Sequence, residues 1–382
     1  MTRVIYLDYN ATTPLDPAVV DAMQPYLREH FGNPSSRHAY GRVAQEAVER
    51  SRAQVADLLG TEPDAVVFTS GGTEASNHAI KGIAFAALAK SAPADVHVVT
   101  STIEHPATVE PCAFLERLGC RITRVPVDRE GLVDLDALAR ALREPTTLVT
   151  IMHANNEVGT IQPIAEIAQL AHAHGALVHT DAAQSTGKIS VDVGELDVDL
   201  LSIAGHKVYA PKGVGALHVR PGLALEPLIH GAGHEGGRRA GTENVSYMVA
   251  LGTACAVARR SLPEATERLR QLRDRLWSRL RRGLGDAVVL NGHATQRLPN
   301  TLSVNFVGHV GADLLDRIPE IAASTGSACH EGQVTLSPVL EAMRLPPDIG
   351  RGVVRLSVGR FTTTEEVDRA ADLLVATATR SL

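Results

Sequence analysis

Between residues 65 and 219 the chain alternates short β-branched runs with segments of helical period, a pattern few folds can absorb. Strand candidates fall at 65–68, 96–100, 121–125, 148–152, 176–180, 200–203 and 216–218. Helical patterns at 75–88, 106–118, 135–142 and 164–174 separate several of them. Strands that take turns with helices predict an α/β unit, a mostly parallel sheet covered on both faces. Such sheets gather ligands beyond the carboxyl ends of their strands.

After about residue 257 the pattern changes. Helices expected at 243–260 and 263–284 precede isolated strands at 287–290, 301–306 and 353–357, with a closing helix at 364–377. This reads as a smaller α+β domain, residues 1–14 and 258–382, packed on a large domain of residues 15–257. A formal net charge of −6 argues against a nucleic-acid partner. The arginines between 268 and 282 alternate with Leu269, Leu272, Leu276 and Leu280, the mark of an amphipathic helix with a solvated face. No apolar run reaches spanning length and no secretion signal opens the chain, so the expectation is a cytoplasmic protein without a membrane partner. Four cysteines do not make a disulfide framework. His230 and His234 flank glycines, and no metal site is expected.

Only five of the 37 basic residues are lysines. Lys207 closes the run SIAGHK at 202–207, just past one strand candidate, and Asp181 follows the neighbouring candidate at 176–180. A lysine and a carboxylate so placed match the needs of pyridoxal 5'-phosphate. The amine forms an imine with the aldehyde, and the carboxylate keeps the pyridine nitrogen protonated. The other lysines are less well placed: Lys81 and Lys90 on or after a helix, Lys188 in a loop, Lys212 beyond the motif.

Other segments acquire meaning beside that pair. The run TSGGTE at 69–74, between a strand and a helix, reads either as a phosphate cradle or as an ordinary turn. His105 follows a strand and is suited to stacking on a ring and shuttling protons, or simply to entering a helix before Pro106. Asn155 is either a ligand contact at the sheet edge or a polar turn. Cys329 stands among small residues and glycines at 324–332, which mark a mobile loop, and His330 beside it favours a reactive thiol. Cys112, Cys120 and Cys255 lie in apolar patterns and read as structural.

Together these residues resemble the cysteine desulfurases of the class V aminotransferase group. The likeness runs from YLDYNATT at 6–13, through TGSAC at 325–329, to RLSVGRFTT at 355–363. It implies pyridoxal-phosphate fold type I: a large domain with a mostly parallel mixed sheet flanked by helices, plus a smaller α+β domain carrying a catalytic cysteine loop at about 323–337. It implies that Lys207 bonds the cofactor aldehyde, Asp181 the pyridine nitrogen and Gln184 the ring hydroxyl. His105 stacks on the ring and transfers protons. Gly72, Thr73 and His206 bind the phosphate, joined by Thr242 of the partner subunit, which implies a homodimer with shared sites. Asn155 and Arg355 hold the carboxylate of L-cysteine. Cys329 takes the sulfur as a persulfide, releasing L-alanine, and passes it to an acceptor such as an iron–sulfur scaffold.

One position departs from the family. Ala204 stands where desulfurases commonly carry a serine that helps bind phosphate, and Ser202 is the nearest hydroxyl to replace it. Ala204, the Cys329–His330 pair and the 148–152 stretch are closer to the selenocysteine lyases, so L-selenocysteine is the alternative substrate. A sulfur-relay scaffold without catalysis is the alternative of another class.

Overall fold

Every strand of the central sheet divides its side chains between two apolar layers. The computed structural model describes residues 4–143, 146–325, 327–330 and 333–380, with the backbone alone for 327–330 and 333–335. A short first strand, β1 (Ile5–Tyr6), precedes the seven of the sheet. These are β2 (Val66–Thr69), β3 (His97–Ser101), β4 (Arg121–Val125), β5 (Leu148–Thr150), β6 (Leu177–Asp181), β7 (Leu200–Ala204) and β8 (Gly215–Val219), in the order β2-β8-β7-β6-β5-β3-β4. Pairing is parallel except at β8, which runs antiparallel to both β2 and β7. The 205–214 link is shorter than the dozen or so residues a parallel crossover needs, so β8 must turn back on β7.

Successive strand residues point to opposite faces. Val66, Phe68, Val99, Val149, Val178, Leu201 and Ile203 therefore enter one layer, against the helices Ala39–Leu59, Ile164–Ala173 and the first half of Val245–Leu284. Val67, Val98, Leu148, Leu200 and Leu217 enter the other, against the helices Gly72–Leu88 and Pro106–Arg117. The expected sheet, mostly parallel and covered on both faces, is the one found.

The remaining strands are β9 (Val288–Leu290), β10 (Thr301–Phe306), β11 (Ile321–Ala322), β12 (Ser324–Thr325), β13 (Ser327–His330), β14 (Gln333–Leu336) and β15 (Val353–Ser357). A four-stranded sheet runs β12-β15-β10-β9, all antiparallel, and β1 pairs parallel with β11. Ile5, Leu7, Leu272, Leu276, Phe306, Val354 and Leu374 share an apolar cluster separate from both faces of the large sheet. The closing helix, Thr364–Thr379, begins with a capping box between Thr363 and Glu366.

Two expectations are corrected here. Helices at 243–260 and 263–284 are a single helix, Val245–Leu284, with Pro263 inside it. Proline has no N–H for the Arg259 carbonyl, which made an ending the natural reading. The helix runs on because both flanks are anchored. Ala254, Cys255 and Ala258 pack in the first layer, Leu269 and Leu272 in the separate cluster, and Thr266 Oγ1 donates to the Lys188 carbonyl at 2.7 Å. The boundary expected at 257/258 thus falls within a continuous helix. The segment around Cys329, expected as a loop, has a strand on each side of 331–332: β13 pairs antiparallel with β14, Cys329 opposite Val334. Among the described residues no helix is long and apolar enough to cross a membrane.

Candidate active site

Chain direction brings the chemistry to one edge. β2, β3, β6 and β7 all point the same way, so the segments that leave their carboxyl ends converge there. A cavity of about 290 Å³ opens at that edge, lined among others by Gly72, Thr73, His105, Asp181, Gln184, Ala204, His206 and Lys207. A larger space of about 540 Å³ surrounds Arg52 and Glu235. Those two side chains close on each other at 2.8 and 2.9 Å, and no lysine lines that space.

Asp181 ends β6, 8% exposed, and Oδ1 accepts from Ala183 N at 2.9 Å. Burial pushes its pKa up, against that hydrogen bond and the nearby His105 and Lys207. A cation placed against it would therefore be strongly held. Lys207 lies in the short turn after β7, where its Nζ donates to the Asn10 carbonyl and, at 2.8 Å, to the Ala11 carbonyl. Burial, and then Arg355, lower its pKa to about 8 in spite of Asp181 and Asp8. More of this amine is neutral, and so nucleophilic, near pH 7 than of an ordinary lysine.

His105 caps the helix Pro106–Arg117 by accepting from Ala107 N at Nδ1, 3.1 Å. That bond assigns the ring proton to Nε2 in the neutral form. Surrounding protein lowers its pKa, Asp181 raises it and Lys207 lowers it. His206 Nδ1 meets Thr12 Oγ1 at 3.2 Å, and burial followed by Lys207 pushes its pKa down to about 4, so it is a neutral ring at pH 7.

The helix Gly72–Leu88 opens onto the cavity with free first-turn amides. Gly71 before it holds a φ of 154°, which favours glycine, and a Cβ there would meet no atom within 4 Å. A Cβ on Gly72 would stand 3.0 Å from that of Ala204. The two small residues together keep the helix start close against β7.

Of the other expected site residues, Ser202 and Asn155 are spent on hydrogen bonds outside the cavity lining, Arg355 bonds to a lining residue, and Thr242, expected from a partner subunit, is on the surface. Ser202 is fully buried, and its Oγ meets His179 Nε2 at 2.9 Å. It shares a face with Ala204 but lies two residues back along β7, below the cavity, so it does not replace the missing serine hydroxyl. Asn155 is fully buried and spends its amide locally: Nδ2 donates to the Ile103 carbonyl at 3.1 Å, and Oδ1 accepts from Glu157 N and Val158 N. Its neighbour Asn156, which the sequence did not single out, lines the cavity instead. Arg355, on β15, donates from Nη1 to the Asn156 carbonyl at 3.0 Å and from Nη2 to Asp8 Oδ1 at 2.8 Å, with Nε buried and unpartnered. Thr242 is exposed on the chain's surface. The Cys329 side chain lies outside what is described. Cys112, Cys120 and Cys255 are buried, and burial pushes the thiols of Cys112 and Cys255 up to about 12, beyond use as nucleophiles.

The family model for class-V aminotransferases matches residues 5–370, and the chain belongs to that family. It is 46% identical over 376 residues to the cysteine desulfurase IscS of Dictyoglomus turgidum, covering 98% of this chain and 94% of that one. To the cysteine desulfurase IscS of Methanosarcina thermophila it is 46% identical over 374 residues, 97% and 91% of the two chains. Among solved structures, a NifS-like protein superposes with a TM-score of 0.91 at 36% identity, over 99% and 100% of the two chains. SspA, solved in complex with cysteine, does so with a TM-score of 0.82 at 36% identity, over 94% and 99%.

Members of this family are pyridoxal-phosphate enzymes, and the residues present fit the cofactor. A buried carboxylate and a lysine of lowered pKa line one cavity, and a glycine-rich helix start with open space before it suits a phosphate.

Proposed function

We propose that this chain is a pyridoxal-phosphate-dependent cysteine desulfurase, converting L-cysteine to L-alanine. One observation carries the reading: Asp181 and Lys207, from the ends of adjacent parallel strands, line one cavity together with an open helix start. Bound there, pyridoxal phosphate supplies an electron sink for the bonds of the substrate α-carbon. Asp181 holds a proton on the ring nitrogen, and burial makes that charge pairing strong. Gly72, Thr73 and the neutral ring of His206 donate to the phosphate, with Thr242 of the partner subunit completing the site in a homodimer. Lys207 bonds the cofactor at rest and carries protons during turnover, while His105 offers Nε2 as a second proton carrier.

Arg355 grips the substrate carboxylate, already oriented by Asp8 and the Asn156 carbonyl. The Cys329 thiolate then attacks the substrate sulfur. An S–S bond forms as the C–S bond breaks, the carbon keeps the bonding electrons and takes a proton, and alanine leaves. The persulfide passes to an acceptor protein, of which an iron–sulfur scaffold is the first to test. A thiol that must stay reduced between turnovers suits the cytoplasm.

Two variants test this. Lys207→Ala should lose the visible absorption of lysine-bound pyridoxal phosphate; an unchanged spectrum refutes the assignment. Cys329→Ala should keep that absorption and stop alanine release from cysteine, and wild-type turnover would mean that another group breaks the C–S bond. Ala204 in the cavity wall keeps the selenium substrate in play, and turnover of selenocysteine without turnover of cysteine would make the chain a lyase.

A further inference from the structure

Lys188 is only 6% exposed, unusual for a lysine, and it stands directly behind the cavity wall. Its Nζ donates to the Gln184 carbonyl at 2.8 Å and approaches Gln184 Oε1 at 3.4 Å. Gln184 Nε2 donates to the Asn10 carbonyl at 3.0 Å, the same oxygen that accepts from Lys207 Nζ. An ammonium only donates and a carbonyl only accepts. The amide therefore has one satisfied orientation, oxygen toward Lys188 and nitrogen toward Asn10. Gln184 lines the cavity, and the second N–H of that nitrogen is what it has left to offer there.

We propose that Lys188 is a positioning residue: it fixes the Gln184 amide so that Gln184 presents a donor, never an acceptor, to the ring oxygen of the cofactor. The proposal rests on the pyridoxal-phosphate reading above and deepens it, since a donor there favours the deprotonated, anionic oxygen. Two further features fit. Burial, followed by Lys207 and Arg355, lowers the Lys188 pKa to about 7, and the side chain remains a donor with or without its charge. Thr266 Oγ1 of the long helix stands 2.7 Å from both the Lys188 and the Leu262 carbonyls and shares its one proton between them, which ties the Lys188 backbone to that helix.

The test compares visible spectra of pyridoxal-phosphate-loaded wild type, Lys188→Met, Gln184→Ala and the double variant at one pH. Lys188→Met should bind the cofactor and displace the visible maximum in the same direction as Gln184→Ala, with no further displacement in the double variant. Its kcat/KM should fall about tenfold, the worth of one hydrogen bond. Lys188→Arg should restore the wild-type maximum, because a cavity of about 300 Å³ adjoining Lys188 has room for the larger head. A Lys188→Met maximum identical to wild type overturns the proposal. So do displacements that simply add in the double variant, since Lys188 would then not act through Gln184. Should Lys188→Met not fold, Lys188→Ala carries the same comparison. A wild-type chain with no visible band would instead remove the cofactor reading beneath it.

Discussion

Glu104 is 7% exposed and keeps a carboxyl in the protein interior. Both its oxygens face Met152 N, at 3.1 and 3.0 Å, and Ser101 Oγ donates to Oε1 at 2.5 Å. Burial nonetheless outweighs these bonds and raises its pKa from 4.5 to about 8. Below pH 4.5 the folded and unfolded chains both hold this proton. Between there and about pH 8 only the folded chain does, so stability falls as pH rises and levels off beyond. Glutamine keeps the shape without the proton, giving its oxygen to Met152 N and its nitrogen to Ser101 Oγ. Glu104→Gln should therefore gain stability relative to wild type as pH climbs from about 5 to about 8, followed as the difference in Tm across that range. A constant difference would mean that Glu104 is ionised in the folded chain.

The same scale shows what could be read in advance. Lys207 and Asp181 were legible because each stands at the end of an apolar strand, lysine is the only side chain that forms the imine, and the partner it needs is a carboxylate. Asn155, Asn156 and Ser202 were not. Which of two adjacent asparagines faces a cavity, and how deep a strand residue sits, depend on turn geometry that residue type does not encode. Lys188 was passed over as a loop lysine. Its one sequence signal is the spacing of four from Gln184, which a helical turn converts into contact.

At the scale of elements, the alternation between residues 65 and 219 was readable because strands buried on both faces appear as short β-branched runs between helical patterns, whereas the helix Ala39–Leu59 that covers one face was not anticipated. The long helix was misread at Pro263. A proline in a helix interior costs up to about 3 kcal/mol relative to alanine, and packing at both ends overrides it here. Pro263 itself is exposed and belongs to none of the apolar clusters. Pro263→Ala should stabilise the chain by about 1–3 kcal/mol, read as a rise in the denaturant midpoint. A fall would mean that proline at 263 is needed to seat the leucines beyond it.

At the scale of the whole molecule, distant parts of the chain are sewn together within each apolar region. Ile5 and Leu7 from the start of the chain pack with Leu374 from its end, and Leu340 and Met343 return to the layer beneath the large sheet. Arg355, from the smaller sheet, reaches across to Asn156 beside the cavity. The continuous helix Val245–Leu284 gives this a historical edge. A gene cut between its halves would not release two modules but leave a severed rod protruding from each. Swapping the cysteine-bearing lobe between relatives should therefore succeed only with junctions placed beyond both ends of that rod, so lineages of this enzyme are expected to inherit both lobes as one unit.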